Sequence, residues 1–517
     1  MFKKKTDQGF SQARTNDCPD DRSKSRRGFF KGILAAVTMP LALGRTALGQ
    51  STGNPATLEQ LVRANGRPIV LKNGIVLSMD STVGDFEKAD VLIQGKRIKA
   101  IGPNLGVPEA GIVTDAAGMI VMPGFVDTHH HQYETPLRSI LSDGLWGMHN
   151  DPLPQNNYAT VIQKTFTPAY LPEDARIAEL VASLNQINAG VTTTVDVSQV
   201  SLSPEHSDAC IAGLRESGRR AVFAYSAGVG PKSRFPQDIV RLKKQYFSSD
   251  DQLLTLALNP GMMMQHWPLA RSLGVPLVSH LMAGNFDRTE LLKPGMMGPD
   301  NEFIHCTRID ETLWKAIADA GVKVSIAPAI EMQMKHGMPP IQTALDHGIR
   351  PSLSVDVECN MTADLFTVMR TAFTLQRALV NQRSIAGERD VPRLLTCRDV
   401  IELATIEGAR VAHLDHKIGS LSPGKEADII MLATSRINIF PLNNVPGAIV
   451  TLMDTSNVEN VFVAGNVMKW QGKLIGTDLT ILQRQIEASR EGLLTRTNYP
   501  RDLFATCCPG PWASNSS

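Results

Sequence analysis

The period of the hydrophobic positions changes along the chain. From Arg67 the chain alternates in short strand-like pieces at 69–71, 74–79, 89–94 and 97–101, punctuated by the turns Lys72-Asn73-Gly74 and Gln94-Gly95-Lys96. This predicts a small antiparallel β unit. It leads into a continuous apolar run at 119–126, broken only by Pro123-Gly124, which ends abruptly in Asp127-Thr128-His129-His130-His131. Such a run reads as a buried strand with imidazoles at its C-terminal end. His129 and His131 are two apart, so on an extended strand they share a face, and His130 points the other way.

Strand-like and helix-like stretches then alternate. Strands are predicted at 120–128, 191–197, 221–225, 253–258, 276–279, 302–304, 322–327 and 351–355, with helical patterns between them at 175–189, 205–217, 264–273, 311–320 and 341–347. Eight such units predict a closed parallel (β/α)8 barrel of the TIM type. The alternative, an open doubly wound sheet, would want a Gly-rich phosphate loop after its first strand, and the chain has none there. Afterwards the pattern returns to β structure, with a turn and strand at 418–431 and a hairpin at 458–470. A last helical pattern covers 478–491, before a Cys-, Pro- and Gly-containing tail. The expected fold is therefore α/β. The barrel covers 123–415, and a small composite β-sandwich domain is built from 67–122 and 416–475. The C-terminal helix and tail occupy 476–517.

Barrel chemistry collects at the C-terminal ends of strands. Strand 1 ends in His129 and His131, strand 5 in His280, strand 6 in His305 and strand 8 in Asp356. Alone, a histidine at a strand end is usually structural and an aspartate is usually a helix cap. Together, at four strand mouths, they form a borderline-soft donor set that suits one divalent ion, zinc or ferrous iron.

Composition narrows the reading. The chain has 517 residues, 43% hydrophobic and 20% charged, with a formal net charge of +1. Residues 1–49 carry ten Lys/Arg against four Asp/Glu, so the remainder is slightly acidic. A nucleic-acid partner is therefore not expected. The segment 1–49 reads as a twin-arginine signal peptide: Ser25-Arg26-Arg27-Gly28-Phe29-Phe30-Lys31, an apolar run at 33–43, then Ala47-Leu48-Gly49. The implied partner is the twin-arginine translocation machinery, and the implied location is the periplasm or beyond. No Cys stands at the cleavage point and no other stretch could span a bilayer, so no membrane anchor is expected. Of seven Cys, Cys210, Cys306, Cys359 and Cys397 read as buried thiols. Cys507 and Cys508 lie in the tail, where an oxidising compartment would permit a disulfide.

Pro123-Gly124-Phe125-Val126-Asp127-Thr128-His129-His130-His131, the strand-end His280, His305 and Asp356, and Ile418-Gly419-Ser420-Leu421 with Gly424-Lys425-Glu426-Ala427-Asp428 resemble the amidohydrolase superfamily. The likeness is to its atrazine chlorohydrolase-like and cytosine deaminase-like members, over roughly residues 67–475. The resemblance implies a mononuclear centre with His129, His131, His280 and Asp356 as ligands. It makes Asp356 the general base and gives His305 a hydrogen bond to the reacting groups. Binuclear relatives carry a carboxylated Lys at the end of strand 4; here that strand reads Leu256-Ala257-Leu258-Asn259-Pro260. Deaminases of the group carry a Glu three residues after the strand-5 histidine; here Ala283 stands there, with Glu331 and Glu358 as candidate replacements.

The function expected is metal-dependent hydrolysis of a C–N bond in an amide, carbamate or cyclic amide or amidine of a small, ring-containing substrate. A heteroaromatic deaminase or hydrolytic dechlorinase is the alternative, and a non-catalytic periplasmic binding protein the reading from another class. The long connections after strands 1 and 7 offer Glu134, Trp146, His149, Glu331 and His336 as substrate-site candidates, with Arg138 beside them, and Glu358, two past Asp356, is another. Homo-oligomerisation stays open.

Overall fold

Gly124 divides the apolar run at 119–126 between two sheets. The computed structural model describes residues 57–147 and 157–504, Arg63 and Asn65 excepted. In it Met119–Pro123 belongs to a mixed sheet and Phe125–His130 opens a parallel one. The single strand expected over 120–128 is thus two strands. The Gly124 N–H donates to the Asp428 carbonyl at 3.0 Å, and the next N–H, of Phe125, donates to Gly190. A Cβ at Gly124 would lie 2.2 Å from the Thr192 side chain, so only glycine lets the chain cross here.

The mixed sheet interleaves the two ends of the chain. Its order is Lys473–Leu474, Asn466–Trp470, Val458–Val463, Ile429–Ala433, Met119–Pro123, Ile69–Val76, Phe86–Gln94, Arg97–Gly102, with Ile112–Asp115 also pairing with Ile69–Val76. Ile429–Ala433 runs antiparallel to Met119–Pro123, with Ile429 opposite Pro123 and Met431 opposite Val121. Leu71, Val91, Ile93, Val121, Leu421, Met431 and Phe462 form one apolar core over it.

The parallel sheet has eight strands in chain order: strand 1 Phe125–His130, strand 2 Val191–Ser198, strand 3 Arg220–Ser226, strand 4 Leu254–Asn259, strand 5 Leu277–Met282, strand 6 Asn301–Thr307, strand 7 Lys323–Ile326 and strand 8 Ser352–Leu353. Every residue of strands 1, 2 and 3 is buried, as expected of parallel strands covered on both faces. Strand 8 returns to strand 1 through a bridge between His130 and Asp356. The Asp356 N–H donates to the His129 carbonyl at 2.9 Å, and the His131 N–H to the Asp356 carbonyl at 2.8 Å. One layer deeper, the Thr128 hydroxyl sits 2.7 Å from those of Ser325 and Ser352, tying strands 1, 7 and 8. This is the closed α/β barrel that the alternation predicts.

The helix expected over 478–491 runs from Leu479 to Thr497. It is held to the helix Pro172–Asn188 by the Ser489 hydroxyl donating to Asp174 at 2.7 Å and by an Arg496–Asp174 ion pair. Cys210, Cys306 and Cys359 are buried thiols and Cys397 is half-buried. The signal-like segment 1–49, His149 and the Cys507-Cys508 pair lie outside the described residues.

One buried ion cluster locks barrel to mixed sheet. Arg220, at the start of strand 3, donates to Asp428 at 2.9 and 3.0 Å and to Glu426 at 2.6 Å, with all three side chains buried. Asp428 also accepts from the Ala464 N–H. Removing one partner of such a cluster leaves its counterparts buried and uncompensated. Arg220→Leu is expected to cost about 3–5 kcal/mol and to lower the thermal midpoint by several degrees, read by thermal denaturation. An unchanged midpoint would refute the role given to the pair.

Candidate metal centre

The C-terminal mouths of strands 1, 5, 6 and 8 converge. His129, His131 and His280 present ring nitrogens that all lie within 4.8 Å of one another, and so do the ligand atoms of His129, His305 and Asp356. His129 Nε2 is 2.9 Å from Asp356 Oδ1, His131 Nε2 is 3.7 Å from the same oxygen, and His305 Nε2 is 3.6 Å from Oδ2. The His131 and His280 rings lie nearly parallel, 5.4 Å apart, with the His129 ring edge-on to both.

Backbone geometry aims these groups. Asp356, His305 and Cys306 adopt left-handed φ values of 67°, 70° and 51°. Non-glycine residues occupy that region at a cost, and only where the surroundings overdetermine them. The barrel-closing bridge does so for Asp356. Tautomers are set locally as well. His131 Nδ1 lies 3.0 Å from the Val197 carbonyl oxygen, which can only accept, so Nδ1 carries the proton and Nε2 keeps its lone pair for the cluster.

Charge follows the same logic. Burial, reinforced by neighbouring imidazoles, holds His280 well below its ordinary value and brings His131 down to about 3. Burial also lowers His129. All three are neutral at pH 7, the form that ligates a metal. For Asp356 burial favours the neutral acid, but the imidazoles of His129, His305 and His131 outweigh it and keep the carboxylate ionised. Burial opposes a charge on His305 too. There the bond from Nδ1 to Glu331 Oε1 at 3.0 Å, with the Asp356 carboxylate, prevails and raises it. Burial pushes Glu331 up as well, against the lowering pull of His305 and of the Ala327 N–H. Three neutral imidazoles and one carboxylate are a donor set that fits a divalent ion.

A cavity of about 530 Å³ opens above these groups. Its lining includes His131, His280 and His305, the rings of Trp146, Tyr158 and His336, and Met262, Met263 and Met282. Of the substrate-site candidates named from the sequence, Trp146 and His336 line it; Ala283 does too. Glu134 is buried, accepts a hydrogen bond from the Tyr158 hydroxyl, and has its carboxyl pushed up to about 8 by burial. Glu331 holds His305 and also accepts the Ala327 N–H at 2.9 Å. Glu358 accepts from Thr135 at 2.8 Å, Asn185 at 2.9 Å and Arg138 at 2.9 Å, and so braces the connection after strand 1. Neither Glu331 nor Glu358 is among the described lining residues.

Sequence reading missed two groups. Gln199 and Asn259, at the mouths of strands 2 and 4, line the cavity; the strand-end rule would have found both had amides been counted with imidazoles. Arg219 is fully buried behind the histidine strand, where it donates to Gln132, to Gln186 and, at 3.2 Å, to Ser183. Nothing in its sequence context marks it.

Residues 278–468 match the model of the Amidohydrolase family. The chain is 26% identical to a 5'-deoxyadenosine deaminase of Methanosarcina mazei, over 83% of this chain and 99% of that protein. It is 25% identical to a 5-methylthioadenosine/S-adenosylhomocysteine deaminase of Syntrophobacter fumaroxidans, over 79% and 94%. Among solved structures, a zinc-bound adenosine deaminase from Xanthomonas campestris superposes with a TM-score of 0.70 at 20% identity, covering 83% of this chain and 98% of that one. A mutant atrazine chlorohydrolase from Arthrobacter aurescens, complexed with zinc and atraton, superposes with a TM-score of 0.72 at 21% identity, covering 82% and 100%. Fold and site define a parallel α/β barrel whose mouth gathers a donor set fit for a metal ion. Over residues 278–468 and in its barrel the chain is similar to members of the amidohydrolase superfamily.

Removing the partner that orients a site histidine typically costs 10–100-fold in activity. Glu331→Gln is expected to lower turnover by about that factor while leaving metal content, measured by elemental analysis, unchanged. Loss of metal instead would mean that Glu331 supports the ion directly.

Proposed function

We propose that this chain hydrolyses a C–N bond of an uncharged, ring-containing small molecule at the His129/His131/His280/Asp356 centre. It is an amidohydrolase-type enzyme acting on carbon–nitrogen bonds other than peptide bonds. The observation that carries the reading is the convergence of four distant segments on one cluster of ligating atoms. A single divalent ion there, zinc by preference and iron by chemistry, would supply Lewis acidity and bring water to ionise near neutrality. Zinc in the two structural neighbours supports that choice.

The chain's own groups do the rest. Asp356 takes the proton of the attacking water on Oδ2, the oxygen not engaged by His129. His305, with Nδ1 donating to Glu331, turns Nε2–H toward the negative charge that develops on the electrophile. Asp356 then returns the proton to the leaving nitrogen. Deamination of a heteroaromatic amine uses the same groups and is the second reading, supported by the deaminases among the relatives.

The test is a panel of amides, carbamates, lactams, 5'-deoxyadenosine, 5-methylthioadenosine and atrazine, scored by ammonia, amine or chloride release and by product mass. Zinc-loaded protein is expected to act on at least one, and metal-stripped protein on none. Asp356→Asn is expected to lose about 10³-fold or more in turnover with the fold intact. No release from the whole panel by zinc-loaded protein would sink the reading.

We also propose that residues 1–49 direct export through the twin-arginine route; that reading rests on Arg26-Arg27 and the apolar run after them. Among the described residues no helix is long and apolar enough to cross a membrane. Replacing both arginines by lysine is expected to leave the protein in the cytoplasmic fraction, read by fractionation and immunoblot. Unchanged export would overturn the assignment.

A further inference from the structure

His336 is the one cavity-lining side chain that is both buried and without a hydrogen bond at either ring nitrogen, among the described residues. It is 2% exposed, and neither Nδ1 nor Nε2 has a partner. Its ring stands edge-on to His305 at 4.9 Å and to Trp146 at 5.2 Å, on the cavity wall. Leaving two buried polar atoms unpaired is costly, and native proteins keep such groups where a ligand or water completes them.

The backbone holds the ring there. The His336 N–H donates to the Glu331 carbonyl at 2.9 Å, closing the turn after Pro328–Gln333. Lys335 and Gly337 on either side have φ of 60° and 142°, so the chain reverses around His336 and its ring faces inward. A Cβ at Gly337 would come within 3.0 Å of Arg308 and 3.2 Å of Thr307, which keeps the turn pressed onto strand 6. The Trp146 N–H donates to the Met334 carbonyl at 2.9 Å, so the connections after strands 1 and 7 clamp the ring from two sides.

The rest of the wall says what the ring meets. Among the described lining residues there is no Asp, Glu, Lys or Arg; the polar groups belong to the histidines, Trp146, Tyr158, Ser226 and the amides of Gln163, Gln199, Asn259 and Asn285. Away from the histidine cluster, a cavity so lined suits an uncharged ligand, since a charge buried there would go unpaired. Trp146 stacks on Tyr158 with centroids 5.3 Å apart, which places flat rings along one side.

We propose that His336 is a specificity-determining residue, its imidazole N–H donating to an acceptor atom, a ring nitrogen or carbonyl oxygen, on an uncharged planar substrate. The proposal rests on the hydrolase reading above and names what that site selects. Burial keeps the ring neutral, so it donates a hydrogen bond and transfers no proton. A site built to hydrogen-bond a substrate atom rejects the analogue lacking it, because its own polar atom is then left unpaired.

The experiment compares wild type with His336→Phe, which keeps a ring against Trp146 and His305 but no nitrogen, and His336→Asn, which keeps one N–H. All are zinc-loaded and checked for equal metal content and thermal midpoint. The probes are 5'-deoxyadenosine and its ring-deaza analogues, each with one nitrogen replaced by CH. Wild type is expected to prefer the parent over one deaza analogue by about 100-fold in kcat/KM; the Phe variant loses that preference and the Asn variant regains most of it. A merely structural role would lower parent and analogue alike, and that result overturns the proposal. Quenching of Trp146 fluorescence on titration with the same compounds, with Trp146→Phe as control, reads binding without turnover. Binding with His336-dependent discrimination, with no product from any compound of the panel above, would sink the hydrolase reading and leave this one standing. Binding without discrimination would overturn this one alone. Neither turnover nor binding would overturn this one, while the hydrolase reading falls only if the whole panel above is also silent.

Discussion

Closure of the barrel at Asp356 is the constraint on which the site depends. Strand 8 is two residues long, Ser352–Leu353, too short to hold an edge by itself. The Asp356 backbone carries the contact onward, donating to His129 and accepting from His131. The same residue that completes the sheet therefore delivers the carboxylate between the two histidines. Asp127 reinforces the seam: its Oδ1 accepts from the Val355 N–H at 3.1 Å, and its Oδ2 from Gln186 at 2.6 Å. Burial lifts that carboxyl to about 7, against the lowering pull of these bonds and of Arg219. A loss of register at this seam would displace both His129 and Asp356, so closing the barrel and assembling the site are one event.

Behind the seam lies a second buried polar layer. Asp196, Glu179, Asp127 and His130 surround Arg219 with almost no solvent exposure. Burial raises the Asp196 and Glu179 carboxyls, so the layer does not carry its full formal negative charge. The Arg219 guanidinium and the amides of Gln132 and Gln186 hold what charge remains. Such a layer is a poor source of net stability, since desolvation cancels most of its attraction. Its geometric effect is clearer. It fixes the side of strand 1 that His130 faces, and thereby the side that His129 and His131 face.

Most of the barrel was legible because its signal is local. Each parallel strand is buried on both faces and reads as an apolar or β-branched run, and each run ends in the residue that faces the mouth. His129, His131, His280, His305 and Asp356 could therefore be placed by counting strand ends. The break at Gly124 was illegible for the opposite reason. The apolar run at 119–126 is continuous, and what divides it is Thr192 packing against a missing side chain far along the chain. Glu358 looked like a loop carboxylate free to meet substrate. Its partners Thr135, Arg138 and Asn185 are not marked by proximity to Glu358 in sequence. The orienting role of Glu331 was hidden likewise, because a left-handed backbone at His305 turns that ring toward it.

The cavity wall bears on how such a site tells substrates apart. Ala283 and Gly284 give the strand-5 side a small, uncharged surface, and Met262, Met263 and Met282 continue it with flexible apolar side chains. A wall of this kind rejects little by shape, because thioethers repack and a methylene is worth only about 1–3 kcal/mol. Discrimination must then come from the few polar atoms with fixed positions. Near His129, His131, His280 and Asp356 the proposed chemistry commits these to the reacting bond. Beyond that cluster they include the amides of Gln163, Gln199 and Asn259 and the ring of His336, which stands beside His305 and is clamped by the connections after strands 1 and 7. Shape admits a family of flat, uncharged molecules, and hydrogen-bond complementarity at the rigid position selects among them.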